Sequence, residues 1–135
     1  MDFPESQAAL SEIAVIDDDV SIRVATDSLL RSRGYTVHTF ESAEEFLRSP
    51  QLYATACVIT DVRMPTMSGI ELQTRVRASG RSVPFIFITA FPEKSVRLRA
   101  MKSGATCFLT KPFDGPTLLS CVETALRKGP DATSG

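Results

Sequence analysis

Short apolar runs alternate with amphipathic stretches five times along the chain, and nothing else in the sequence constrains the fold as strongly. The runs fall at 13–16, 35–40, 54–60, 84–89 and 107–110, and the amphipathic stretches at 21–33, 42–48, 70–78, 94–103 and 116–128. Each pair reads as a strand followed by a helix. Strand-helix units in series favour a parallel sheet covered on both faces, because parallel neighbours need long crossovers and helices usually supply them. Punctuation supports the boundaries. Gly34, Gly80 and Gly104 each follow a helical stretch as C-terminal caps do, and Ser42 with Glu45 three residues on is a capping-box pattern. In the last helix Leu118, Leu119, Val122, Ala125 and Leu126 share one face and leave Glu123, Arg127 and Lys128 outside.

With 135 residues, 43% of them hydrophobic, the chain can bury one real core, and it leaves no room for a second catalytic or DNA-binding domain. We expect one domain over 12–128 with flexible termini at 1–11 and 129–135, the latter small, polar and helix-breaking. Fifteen Lys plus Arg against sixteen Asp plus Glu set up no basic field for nucleic acid or anionic membrane. Cys57, Cys107 and Cys121 are odd in number and lack metal-ligand spacing, so they are expected as buried, reduced thiols, which suits a reducing cytosol. Asp2 and Glu5 stand where a secretory signal would need positive charge, and no apolar run reaches the roughly 20 residues that span a bilayer. A soluble, cytoplasmic protein is expected.

Four of the runs end in residues that carry chemistry. Asp17, Asp18 and Asp19 follow the first, Asp61 ends the third, Thr89 ends the fourth and Lys111 follows the fifth. In an open parallel sheet ligands bind beyond the carboxyl ends of the strands, where strand order reverses. If the first and third strands are neighbours, Asp17, Asp18 and Asp61 stand within a few ångströms of one another. Carboxylates so close disfavour one another's ionisation unless a cation neutralises them. Oxygen ligands in a shallow site point to Mg²⁺, with Mn²⁺ able to substitute. Magnesium suggests phosphate, for which Lys111 supplies a fixed charge and Thr89 a hydroxyl. Asp61 faces all of these groups and is the candidate nucleophile for an aspartyl phosphate.

These residues resemble the receiver domain of two-component response regulators: Val15 Ile16 Asp17 Asp18 Asp19, then Ile59 Thr60 Asp61 Val62 Arg63 Met64 Pro65 with Gly69, then Phe87 Ile88 Thr89 Ala90, then Thr110 Lys111 Pro112 Phe113. The resemblance covers about residues 12–128. It implies a flavodoxin-like, doubly wound α/β fold of five parallel strands in the order 2-1-3-4-5 with five helices. It also implies that Asp61 is the phospho-acceptor, that Asp17, Asp18, Asp61 and the backbone carbonyl of Arg63 hold the metal, and that Thr89 is a switch hydroxyl. Phe108 corresponds to the aromatic switch and Lys111 to the phosphoryl-binding lysine, whose bond to Pro112 is typically cis in relatives. A receiver is a signalling domain that catalyses only its own phosphorylation and dephosphorylation. The implied partners are a sensor histidine kinase or histidine phosphotransfer protein, and an output partner or domain met through the fourth helix, fifth strand and fifth helix. The resemblance further allows a phosphorylation-dependent homodimer, and no direct contact of this domain with nucleic acid or membrane. The motif flavour is that of receivers attached to helix-turn-helix transcription factors, and a single-domain regulator is the other arrangement.

Other polar residues have plainer readings. Asp19, Ser42 and Asp114 precede helices and are expected as caps, and His38 as a surface or packing residue. Lys94, Arg97, Arg99 and Lys102 crowd the fourth helix, either as a solvated face or as a stripe that selects an acidic partner. Phe91, two residues after Thr89, is bulky enough to hinder the water that hydrolyses an aspartyl phosphate. A small Mg²⁺-dependent phosphohydrolase with an aspartyl nucleophile is the rival reading, but such enzymes place a second acid where this chain has Arg63. A flavin module of the same topology would need a phosphate-binding loop after the first strand, and the chain has none there.

Overall fold

A computed structural model describes residues 11–128. Five strands, β1 (Glu12–Ile16), β2 (Thr36–Phe40), β3 (Cys57–Asp61), β4 (Phe85–Thr89) and β5 (Cys107–Thr110), form one all-parallel sheet in the order β2-β1-β3-β4-β5. Helices α1 (Val20–Arg31), α2 (Ala43–Arg48), α3 (Gly69–Ala78), α4 (Lys94–Lys102) and α5 (Gly115–Lys128) supply the crossovers. The architecture is the doubly wound one expected from the alternation of runs and stretches.

Burial explains the strand sequences. Every residue of β3 and β4 is buried, and successive side chains in β4 enter opposite cores: Phe85 and Phe87 one, Ile86 and Ile88 the other. The first core holds Phe46, Leu52, Leu72 and Val76 beneath α2 and α3, and the second holds Leu30, Leu118 and Val122 beneath α1 and α5. The amphipathic face read in the last helix is the one that is buried: Leu118, Leu119, Val122 and Ala125 line it.

Most boundaries lie within a residue or two of those read from sequence. The third run is the exception. Its strand begins at Cys57, and a short 3₁₀ turn, Pro50–Tyr53, precedes it. Ala54 and Thr55 are drawn into the connection instead: Thr55 donates its hydroxyl to the Gln51 carbonyl, and the Arg81 guanidinium donates to the carbonyls of Tyr53 and Thr55. Asp19 caps α1 by accepting from Ser21 N, and Asp114 accepts from both the amide and the hydroxyl of Thr117. Ser42 accepts from Glu45 N, but Glu45 reaches past it to Glu41 N; the reciprocal capping box is Ser68 with Glu71 at the start of α3. Gly34, Gly80 and Gly104 adopt φ values of 91°, 91° and 94°, the left-handed conformation that ends a helix.

One expectation is overturned. Cys107 on β5 and Cys121 on α5 form a disulfide, with Cα atoms 6.2 Å apart. Read along the sequence they are two thiols in separate apolar runs; only the return of α5 over the sheet brings them together. Cys57 is a buried thiol. The expected flexible termini lie outside the described residues except for Ser11, whose carbonyl accepts from Thr36 N at 3.1 Å. Among the described residues no helix is long and apolar enough to cross a membrane.

Candidate functional site

Sheet order positions the site. The crossover that follows β1 leads to the edge strand β2, and the one that follows β3 leads the opposite way to β4, so a crevice opens beyond the carboxyl ends of β1 and β3. Asp17 leaves β1 on one side of it and Asp61 ends β3 on the other. The main chain is pinned on both sides: Asp17 N donates to the Phe40 carbonyl at 3.1 Å and Val62 N to the Ile88 carbonyl at 2.9 Å. Lys111 enters from β5 through a cis peptide to Pro112, its own amide donating to the Thr89 carbonyl at 2.7 Å. Gly69 closes the loop after β3. Its amide donates to the Val62 carbonyl, and a Cβ at that position would collide with the carbonyl oxygen of Asp61, so only glycine lets α3 start so close to the acid.

The side chains converge as the sequence suggests. Ligand-capable oxygens of Asp17, Asp18 and Asp61 all lie within 4.8 Å of one another, with Asp17 and Asp61 buried and Asp18 exposed. Lys111 Nζ stands 2.9 Å from Asp61 Oδ2 and 2.9 Å from Asp17 Oδ2. The other oxygen of each acid is held by backbone: Asp61 Oδ1 accepts from Arg63 N at 3.0 Å and Asp17 Oδ1 from Asp19 N at 2.9 Å. Asp17 Oδ2 is buried with the Lys111 ammonium as the one group recorded against it, which leaves it short of partners. Clustered carboxylate oxygens with such an unsatisfied atom fit a small oxygen-seeking divalent cation.

Thr89 and Phe108 sit near this centre without joining it. Thr89 is buried, and its hydroxyl accepts from Phe91 N at 3.1 Å and contacts the Phe91 carbonyl. Phe108 is buried on the opposite side of β5 from Cys107, with the Arg97 guanidinium 5.7 Å above its ring. The side chain of Arg63 turns outward to a 2.7 Å ion pair with Glu93 and packs 5.4 Å over the ring of Phe91, which is 62% exposed. The Arg63, Glu93 and Phe91 assembly borders the crevice. The sequence pointed to Arg63 and Phe91 by their distance from Asp61 and Thr89, but Glu93 carried no signal beyond its place before α4. His38 pairs with Glu12 on the far part of the sheet and takes no part.

A family model described as the response regulator receiver domain matches residues 13–123. The chain belongs to the response regulator receiver family. It is 40% identical over 124 residues to the response regulator protein TodT of Pseudomonas putida, an alignment covering 92% of this chain and 55% of that protein. It is 38% identical over 120 residues to the transcriptional regulatory protein FixJ of Bradyrhizobium diazoefficiens, covering 89% and 58%. The solved structure of the response regulator StyR superposes with a TM-score of 0.81 at 42% identity, covering 90% of this chain and 61% of that one. The receiver thus spans a little over half the length of the curated relatives it matches. Membership also weighs against the phosphohydrolase reading, and the geometry gives the reason. Where such a hydrolase keeps its second acid, this receiver has a guanidinium tied to Glu93.

Electrostatics at the site oppose each other. Burial pushes the Asp17 carboxyl above its ordinary 3.8; hydrogen bonds from Lys111 and Asp19 offset this in part, and the Asp61 charge adds to it. Burial acts downward on Lys111, but its hydrogen bonds to Asp17 and Asp61 outweigh that, and the ammonium is held above 10.5. Lys111 therefore contributes stability throughout the range below 10.5, lost as pH rises through its raised value. Asp17 has the reverse sign for an acid. Ionised, it burdens the fold, fully above its raised pKa, and the burden lifts as pH falls through that value toward 3.8. Asp17→Asn keeps an oxygen for Asp19 N and leaves Lys111 its Asp61 partner. The variant should melt a few degrees above the parent at pH 7 without divalent cations, with the gap closing on acidification through the raised Asp17 pKa. Calorimetry in which the variant melts no higher at pH 7 would contradict this electrostatic account.

Proposed function

We propose that this receiver takes a phosphoryl group onto Asp61 from the phosphohistidine of a sensor histidine kinase or histidine phosphotransfer protein, and that its output is the resulting conformational state. The observation that carries the reading is the convergence of Lys111 Nζ on Asp61 and Asp17 at 2.9 Å while Asp61 Oδ1 is fixed by Arg63 N. A carboxylate so oriented attacks phosphorus, the bond from phosphorus to the imidazole nitrogen breaks, and that nitrogen keeps the electron pair. Lys111 is within reach of an oxygen of the arriving group and stabilises its charge. Asp17, Asp18, Asp61 and the Arg63 carbonyl would hold Mg²⁺, or Mn²⁺ in its place; bound there, the ion neutralises charge on the acids and the phosphoryl oxygens.

The switch follows from the same parts. A phosphoryl group on Asp61 offers the Thr89 hydroxyl a stronger acceptor than the Phe91 backbone it now engages, and Phe108 repacks into the space behind it. The surface that reports this comprises α4, β5 and α5, where Leu98 and Met101 are exposed among Lys94, Arg97, Arg99 and Lys102. Either an output partner, an attached output domain or a second phosphorylated copy would meet that face. The name of FixJ, a transcriptional regulatory protein, supports a transcriptional output, and we read the chain as the regulatory part of such a protein, acting in the cytoplasm and touching nucleic acid only through what it controls.

Donor docking has a surface of its own. A groove of about 330 Å³ lies between α1 and the loop after β5, lined by Ile22, Ala25, Leu29, Pro112 and Phe113. Val20 and Val24 are also exposed on α1, outside the groove. An apolar helix face of the donor seated there would bring its phosphohistidine to Asp61.

Asp61→Asn should abolish acid-labile labelling by a radiolabelled phosphodonor in the presence of Mg²⁺, and stoichiometric labelling of that variant would refute the assignment. Phe91, backed by Arg63, covers the direction from which water reaches the phosphoryl group. Phe91→Ala should therefore speed decay of the phosphorylated receiver roughly threefold. A decay no faster than the parent's, followed by loss of label after donor removal, would show that the ring shields nothing.

A further inference from the structure

Strand β5 is the edge of the sheet, hydrogen-bonded on one side alone, to β4. Three of its attachments to the rest of the fold are side-chain contacts. Lys111 at its end bridges Asp17 and Asp61, Phe108 in its middle lies under Arg97, and Cys107 at its start is bonded to Cys121 of α5. Helix α5 packs chiefly over β3 and β4. The disulfide is thus the covalent tie between α5 and the strand that leads to the phosphoryl-binding lysine, beside the apolar contact that Leu109 makes with the same core. Cys107 is partly exposed and Cys121 is 7% exposed, so one sulfur is open to a reagent in solution and the other waits behind it. The backbone places their Cα atoms 6.2 Å apart, within the range a disulfide spans without moving the chain.

We propose that Cys107 and Cys121 are a reversible oxidation site, closed by low-molecular-weight disulfides of the glutathione class, and that closing it restrains phosphorylation of Asp61. The inference rests on the phospho-acceptor and cytoplasmic readings above, since intracellular disulfides are usually transient and often redox-sensing. In the reduced chain the Cys107 thiolate attacks one sulfur of the reagent, forming a mixed disulfide and expelling the first thiolate. The Cys121 thiolate then attacks the Cys107 sulfur and expels the second. The protein loses two electrons and two protons; the reagent disulfide gains both and leaves as two thiols.

Coupling to Asp61 follows from β5. Lys111 Nζ occupies the space between the two carboxylates into which a phosphoryl group must come. To admit it, Lys111 has to draw back, and Lys111 is four residues along the strand from Cys107. With Cys107 anchored to α5, β5 can shift only if α5 shifts with it; with the pair reduced, β5 is released to follow Phe108 and Lys111 on its own. Oxidation thus biases the same two-state element as phosphorylation, in the opposite direction.

The test uses the full chain equilibrated with glutathione or with glutathione disulfide. Alkylation under denaturing conditions and mass spectrometry read the thiols, and labelling by acetyl phosphate with Mg²⁺ reads Asp61. All three cysteines should alkylate after glutathione, and Cys57 alone after glutathione disulfide, with a Cys107–Cys121 linked peptide recovered. The oxidised form should label about fivefold more slowly than the reduced form or worse, while Cys121→Ser labels at the reduced rate in both buffers. The proposal is overturned if the pair stays open in glutathione disulfide, or if it closes and both forms label at one rate. If the reduced chain closes its disulfide normally yet never labels, the phospho-acceptor reading itself fails, and the coupling with it.

Discussion

One ammonium group shared by two buried carboxylates organises this receiver. Lys111 Nζ stands 2.9 Å from both Asp17 and Asp61, which belong to strands adjacent in space but 44 residues apart in sequence (61 less 17). An uncompensated buried charge typically costs about 3–5 kcal/mol, and here two acids depend on one cation. The balance is uneven: the lysine is held more firmly protonated than usual, while Asp17 is pushed toward its neutral form by burial. An additional positive charge is therefore welcome, and so is a ligand that brings its own oxygens for Lys111. The same imbalance that weakens the resting fold would favour the metal and the phosphoryl group of the proposed function.

The scaffold is built to hold that arrangement on its rigid part. Asp61 ends a strand buried along its whole length, its neighbour β4 is equally buried, and Gly69 lets α3 begin against the Asp61 carbonyl. Parts that the proposed switch would move lie on the other side. Strand β5 is an edge, α4 buries only Ala100, and Thr89 accepts from Phe91 N in the loop toward α4. Rigid acid and movable lysine are separated by one strand, β4, which carries Thr89 at its tip. On the proposed function, this division would let a local charge change become a displacement at the α4, β5 and α5 surface.

How much of this was legible in the sequence depended on whether the signal was local. Run and helix alternation, caps such as Asp19 and Asp114, and the glycines at positive φ all act within a few residues, and they reappear where the pattern put them. The acids, threonine and lysine were legible because strand ends in a parallel sheet must face one edge, so topology alone gathers them. Contacts between distant elements left no such trace. Nothing adjacent to Cys107 or Cys121 announces that α5 returns over the sheet and brings the two sulfurs together. Glu93 looked like an ordinary residue before a helix until Arg63 was found bonded to it, and Arg97 like one more solvated cation until its place over Phe108 was seen. The 3₁₀ turn at Pro50–Tyr53 left no trace for a related reason: Arg81, far along the chain, holds the carbonyls of Tyr53 and Thr55 in the connection before β3.

The proposed function requires that Asp61, and neither of the acids beside it, forms the acyl phosphate. Borohydride cleaves an acyl phosphate to an alcohol and so marks the modified aspartate as homoserine. Applied to the receiver after phosphorylation with Mg²⁺, followed by peptide mass spectrometry, it should convert Asp61 alone. Homoserine at Asp17 or Asp18, or none at position 61 in a labelled chain, would contradict the account.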